Sequence, residues 1–170
     1  RKSGEDVAVL CAGVLGELRG KPPGELRVGL GRDMRLQAPE MAGRVREGLI
    51  DEGVTVLDAG MVGTEMLYFL VGSRELDGGA MVTASHNPKA YTGAKLLRRG
   101  ALALSGDSGI GELREIVQAG DPGEPAAERG RYEEEDVAAG FQEKVKSFVD
   151  MGAVQPMKVV LDGGIGMAGP

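Results

Sequence analysis

One histidine and one cysteine in 170 residues remove whole classes of chemistry. A zinc site built from imidazole and thiolate needs three or four such ligands. Acyl transfer of the Ser/His/Asp kind needs an imidazole turned toward its serine, but the one imidazole belongs to His86, directly after Ser85. Side chains of adjacent extended residues point to opposite sides, so His86 is expected to face away from the Ser85 hydroxyl. The lone Cys11 lies in the apolar run Val7-Ala8-Val9-Leu10-Cys11-Ala12 and reads as a buried thiol. No disulfide can form within the chain, and a reducing cytoplasm is the expected compartment. There is no Trp, and three Phe and three Tyr offer few platforms for stacking single-stranded nucleic acid. A net charge of −6 opposes a polyanionic backbone, so no nucleic-acid partner is expected. No apolar run is long enough to span a bilayer and none resembles a secretion signal, so no membrane partner is expected either.

What the chain does have is punctuation. Ser3 and Asp6 resemble a capping box ahead of an apolar-rich helix over 6–19 that ends at Gly20. Leu26 to Gly31 reads as a strand, and Pro39 suits the first turn of a helix closed by Gly53. A strand over 54–58, a helix over 64–72 and a strand over 79–83 follow. This β, α, β, α, β order calls for parallel strands joined by right-handed helical crossovers. Ala94 to Arg98 is expected to return antiparallel at one edge. The fold class is therefore α/β, a three-layer α/β/α sandwich with a mixed, mostly parallel sheet, plus the start of a second similar domain. A helix is expected over 108–118, and the Gly- and Pro-rich stretch 119–131 marks a boundary. Residues 1–130 form the first domain. Residues 131–170 form a linker helix over 133–149 and the opening of a truncated second domain, with a strand over 157–162. Both ends read as cut.

The stretch "MVTASHNPKAYTGAK", residues 81–95, concentrates the chemistry. Ser85 emerges beyond the C-terminal end of a buried strand, the edge of an open α/β sheet where ligands bind. Pro88 stiffens the loop, and Gly93 permits a tight return that brings Lys95 back toward the serine. A serine facing a lysine, with no general-base histidine, suits a phosphoryl acceptor better than an acyl acceptor. A phosphoserine carries about −1.5 to −2 charges and three acceptor oxygens, for which Lys95, Arg32, Arg35 and nearby helix N-termini are candidate partners. An ordinary surface loop is the alternative that spacing alone leaves open.

The string Thr83-Ala84-Ser85-His86-Asn87-Pro88, followed by Tyr91-x-Gly93-x-Lys95, resembles the active-serine signature of the α-D-phosphohexomutases, the superfamily containing the phosphomannomutase/phosphoglucomutase enzymes. Gly31-Arg32-Asp33-Met34-Arg35 is similar to that family's Gly-Arg-Asp-x-Arg turn, and Lys158 to Gly166 is similar to the opening of its second domain. The resemblance implies interconversion of hexose 1- and 6-phosphates through a phosphoserine and a bisphosphorylated sugar, which also serves as activator. It implies that Ser85 carries the phosphoryl group and offers it to Mg²⁺ as a ligand. Lys95 matches a lysine assigned to proton transfer, with charge pairing as the other duty. Arg32, His86 and Asn87 become phosphate- or substrate-binding candidates, with structural roles open beside them: ion pairing for Arg32, backbone hydrogen bonding for His86, and shaping of the loop by His86 and Asn87. Asp58 reads as a hydrogen-bonding residue at a strand end rather than a metal ligand.

Thr64-Glu65 stands where the family often has Thr-Pro, and Thr92 and Ala94 replace a usual Asn and Phe. The family's Asp-Gly-Asp-Gly-Asp-Arg metal loop, its sugar-specificity loop and its C-terminal phosphate loop are not in this sequence. The expected partners are therefore a hexose phosphate and the remaining domains of the same polypeptide, and the fragment alone is expected to be inactive. Gly164 to Gly169 fits the dinucleotide pattern G-x-G-x-x-G, but the helix and acidic residue that would support it fall beyond the end of the sequence. A non-catalytic phosphosugar-binding or regulatory homologue of the same fold is the alternative from a different class.

Overall fold

Alternation along the central strands decides which helix covers which face of the sheet. In β1 (Arg27–Arg32), Val28 and Leu30 point one way, as do Val56 of β2 (Thr55–Met61) and Ala80 and Val82 of β3 (Gly78–Val82). They bury against Ala42, Val45 and Leu49 of α1 (Ala38–Asp51). Leu57 and Met81 point the other way and bury against Leu67, Leu70 and Val71 of α2 (Thr64–Ser73). Period-two strands sandwiched between amphipathic helices give two apolar layers and one sheet. A buried leucine or valine in either layer contributes roughly 1.5–3 kcal/mol relative to exposure.

The computed structural model describes residues 20–104, 110, 111, 115, 126–164, 166 and 167. The expected helix over 6–19, with Cys11, lies outside the described residues, as does most of the expected helix over 108–118. β4 (Ala94–Arg98), β5 (Leu102–Ala103) and β6 (Tyr132–Glu134) complete a six-stranded sheet in the order β5-β4-β3-β1-β2-β6. β6, β2, β1 and β3 are mutually parallel, whereas β4 runs antiparallel to β3 and β5 antiparallel to β4. A third helix, α3 (Ala138–Lys146), joins the α2 layer: Val137 is buried there, and the rings of Phe69 and Phe141 meet edge to face with centroids 5.8 Å apart. The α/β/α expectation holds, with a mixed sheet.

Three local expectations change. β4 is not the edge strand, because β5 pairs outside it through Leu97 with Ala103 and Arg98 with Leu102. The helix expected over 133–149 is shorter: Tyr132–Glu134 is extended and pairs with Val56, Leu57 and Asp58, so helix begins only at Ala138 and ends at Lys146. Residues 157–162 form no strand, and Val159, Val160 and Leu161 are exposed. A strand needs a neighbour to satisfy its backbone N–H and C=O groups, and none pairs with it among the described residues.

Connectivity positions the site. The chain leaves β1 through α1 to reach β2 on one side, then crosses back through α2 to reach β3 on the other. Consecutive crossovers therefore diverge at the β1/β3 boundary, a topological switch point whose crevice lies at the carboxyl ends of the strands. Loops 33–37 and 83–93 emerge there together, tied where the Asp33 N–H donates to the Val82 carbonyl at 3.0 Å. Asp58 is a hydrogen-bonding residue, its Oδ1 accepting from the Gly60 N–H at 2.8 Å.

Candidate functional site

The loop after β3 is closed by its own backbone. Thr83, buried at the strand end, donates its N–H to the Gly93 carbonyl at 3.0 Å, so chain exit and return are joined at the base. Asn87 donates both its N–H and its Nδ2 to the Ala84 carbonyl, at 3.0 and 2.9 Å, and the Tyr91 N–H donates to the Pro88 carbonyl at 3.0 Å. Asn87 thus shapes the loop with its side-chain amide. Within this frame Ser85 is exposed and has a φ of +54°, in the left-handed region that a non-glycine residue enters at a cost of roughly 1–2 kcal/mol. Its N–H donates to Thr83 Oγ1 at 3.0 Å.

That backbone overturns one expectation. Ser85 Oγ lies 3.2 Å from His86 Nδ1, within hydrogen-bond distance. Opposed side chains require extended backbone, and Ser85 is not extended. The imidazole does face the hydroxyl.

Arg35 also differs from expectation. Its Nη2 donates to the carbonyls of Ser85 at 3.0 Å and Asn87 at 2.7 Å, and its Nη1 to those of Pro88 at 3.0 Å and Tyr91 at 3.3 Å. Nε donates to Asp33 Oδ2 at 3.2 Å, while Asp33 Oδ1 accepts the Arg35 N–H at 3.0 Å. A guanidinium has five N–H donors, and each has a protein acceptor here. Arg35 therefore binds the loop rather than standing ready for an anion.

Lys95 sits on β4 opposite Met81, exposed, and lines the same cleft as Ser85, His86 and Asn87. Lys89 contributes a second ammonium to this cleft, and Glu65, in the first turn of α2, a carboxylate. Arg32 is not brought there. It pairs with Val82 and follows Val28 and Leu30 in the strand alternation, which directs it to the α1 side, and it does not line the cleft. Sequence reasoning missed Thr83 as an acceptor and Glu65 as a cleft residue. The Asp33-x-Arg35 spacing was the signal available for the clamp.

Among the described residues, no group of three or more His, Cys, Asp or Glu side chains could hold a metal ion. Asp33, whose backbone is tied to the end of β3, already accepts two hydrogen bonds from Arg35. These residues do not form a Mg²⁺ site by themselves. No helix among them is long and apolar enough to cross a membrane.

Residues 4–123, more than half of the chain, match the family described as Phosphoglucomutase/phosphomannomutase, alpha/beta/alpha domain I. A phosphomannomutase of Escherichia coli is 36% identical over 170 residues, covering 99% of this chain and 38% of the relative. Proteins named phosphohexose mutases from Xanthomonas campestris pv. campestris are 40% identical over 143 residues, covering 82% of this chain and 31% of the relative. The crystal structure of a phosphoglucomutase/phosphomannomutase family protein from Burkholderia thailandensis superposes with a TM-score of 0.67 at 35% identity, covering 84% of this chain and 32% of that one. The chain thus spans about a third of the length of the relatives it matches.

Proposed function

The chain belongs to the phosphoglucomutase/phosphomannomutase family, and from that premise we propose that Ser85 is the phosphoryl carrier of a hexose-phosphate mutase whose other parts lie outside residues 1–170. The observation that carries this reading is an exposed hydroxyl at the switch-point crevice, on a backbone pinned by Thr83 and Arg35, in a cleft shared with Lys95. A freely moving loop would spend entropy to align an in-line displacement, whereas a fixed one meets that requirement before substrate arrives.

The transfer balances in two halves. A hydroxyl oxygen of the hexose monophosphate attacks the phosphorus on Ser85. The new O–P bond forms as the Oγ–P bond breaks, the sugar hydroxyl loses its proton, and Oγ regains one. The sugar, now bisphosphorylated, turns over and returns the phosphoryl group from its other position to Ser85 Oγ by the same steps reversed. The net result is movement of phosphate between O1 and O6. Lys95 serves proton transfer at the sugar oxygen, and its ammonium offsets the phosphate's charge. His86 Nδ1, within hydrogen-bond distance of Oγ, orients the hydroxyl after transfer. Mg²⁺ would take the Ser85 phosphate as one ligand and others from other segments, and no step here is routed through it. β6 and α3 pack on the first domain, the segment after them leads into a second unit, and residues 1–170 alone are inactive.

The test uses the full-length protein. Incubation with a hexose 1,6-bisphosphate should add one phosphoryl increment to its intact mass, abolished in Ser85→Ala, and a coupled assay with mannose 1-phosphate and glucose 1-phosphate should show turnover of at least one. Neither label nor turnover would leave a non-catalytic phosphosugar-binding homologue as the reading.

A further inference from the structure

Ser85 is the one residue of loop 83–93 with a positive φ, and both of its peptide groups are tied. The N–H goes to Thr83 Oγ1 at 3.0 Å, and the carbonyl receives Arg35 Nη2, also at 3.0 Å. Release of either tie lets the residue relax toward a right-handed or extended conformation that costs less. Such a relaxation swings Oγ away from its present direction. Arg35 is itself aimed by Asp33, which is buried at the end of β1 and tied to Val82 at the end of β3. An unbroken set of hydrogen bonds therefore runs from the sheet through Asp33 and Arg35 to the serine. Strain held at one residue by surrounding structure is a feature of functional sites.

We propose that Arg35, oriented by Asp33, is a positioning residue that together with Thr83 holds Ser85 in the left-handed conformation and so sets the direction in which Oγ presents the phosphoryl group. This rests on the reading of Ser85 as the carrier. Every guanidinium donor of Arg35 is taken by a protein acceptor, so Arg35 acts on the serine through the loop backbone. Its four remaining donors hold four carbonyls at once, and a lysine ammonium with three donors on a single nitrogen cannot reproduce that spread.

The experiment compares Arg35→Lys, Thr83→Val, the double variant, Ser85→Ala and Leu67→Ala in the full-length protein. Leu67→Ala removes a fully buried side chain of α2 and serves as a control for destabilisation. Arg35→Lys should lower kcat about 100-fold, the scale expected of a misplacement of about 1 Å, with KM for the hexose phosphate within about twofold. Thr83→Val should lower kcat in the same way. The double variant should be no slower than the slower single variant, because both changes release the same conformation. Leu67→Ala should keep its kcat despite a lower melting temperature. Additive losses in the double variant, an effect on KM alone, or an equal loss of kcat in Leu67→Ala would each overturn the clamp while leaving the carrier reading intact. Phosphoryl label persisting in Ser85→Ala would overturn both.

Discussion

Gly53 and Glu75 stand at equivalent positions, one residue past the caps of α1 and α2, and both have positive φ, +85° and +50°. After α1, the Val54 N–H donates to the Leu49 carbonyl and the Gly53 N–H to that of Ile50. After α2, the Leu76 N–H donates to the Val71 carbonyl and the Glu75 N–H to that of Gly72. Both are the paired closure that favours glycine. Glu75→Gly should therefore raise stability by about 0.5–1 kcal/mol, the strain relieved outweighing the entropy lost. Gly53→Ala should lower it by more than about 1 kcal/mol, since the added carbon also meets Ala126 Cβ at 3.1 Å. Thermal unfolding of the two variants would check this, and shifts of equal sign would refute it.

Gly130 lies where the chain approaches β6. Its N–H donates to the Ile50 carbonyl at 2.8 Å, and a Cβ added here would collide with the Val54 carbonyl oxygen. Backbone cannot give way as a flexible side chain can, so Gly130→Ala should displace residues 130–134 and cost about 1–3 kcal/mol. Amide exchange should report it locally. The Val56 N–H, which donates to the Arg131 carbonyl at 2.8 Å, should exchange faster while the N–H groups bonded between β1 and β3 keep their protection.

The strands that build the switch point were legible because Leu26–Leu30, Val54–Leu57 and Ala80–Val82 are short apolar-rich stretches each flanked on at least one side by Gly, and Pro39 and Gly53 bracket α1. β6 was not, because Tyr132, Glu133 and Glu134 are all exposed and nothing but pairing with β2 makes them a strand. Residues 157–162 misled in the opposite sense, as an apolar run with no strand beside it among the described residues. At the site, the serine, lysine and asparagine could be named from the hexapeptide and its return. The left-handed turn at Ser85 could not, since a serine carries no preference for it, and the opposed side chains expected of Ser85 and His86 fail for that reason. Arg35 was visible as a nearby cation, but its assignment to four carbonyls depends on how two loops meet.

Two glutamates near the end of α1 should give opposite pH dependences. Hydrogen bonds from Arg129 first, and Arg46 second, hold the Glu47 carboxyl below its ordinary value. Partial burial first, and the Asp51 charge second, push Glu52 above it. A lowered folded-state value gives stability that is present above the unfolded value and lost as pH falls through the folded one. A raised value gives stability that is complete below the unfolded value and lost as pH rises through the folded one. Glu47→Gln should thus lower the melting temperature at neutral pH, and Glu52→Gln should raise it; the Glu52 difference should fade as pH falls toward about 4, and the Glu47 difference only as pH falls further. The Glu47 effect should be small and shrink in salt, because the side chain is half exposed. Melting curves across that range would check the signs; a pH-independent difference for either variant would reject its assignment.

Lys95 occupies the strand beside the one that delivers Ser85, opposite Met81, with its side chain in the cleft and open to solvent. Lys95→Met removes the ammonium without opening the core, so melting should stay within about 0.5 kcal/mol of the parent. Loss of a proton-transfer group should lower kcat by about 100- to 10,000-fold. The informative comparison is Lys95→Arg, which keeps the positive charge on a group that does not release its proton in a protein. If Lys95 moves the proton at the sugar oxygen, arginine should be nearly as slow as methionine, with the hexose-phosphate KM little changed in both. Recovery of Lys95→Arg to within about tenfold of the parent would assign the residue to charge pairing alone, because only the electrostatic part of its role survives that exchange.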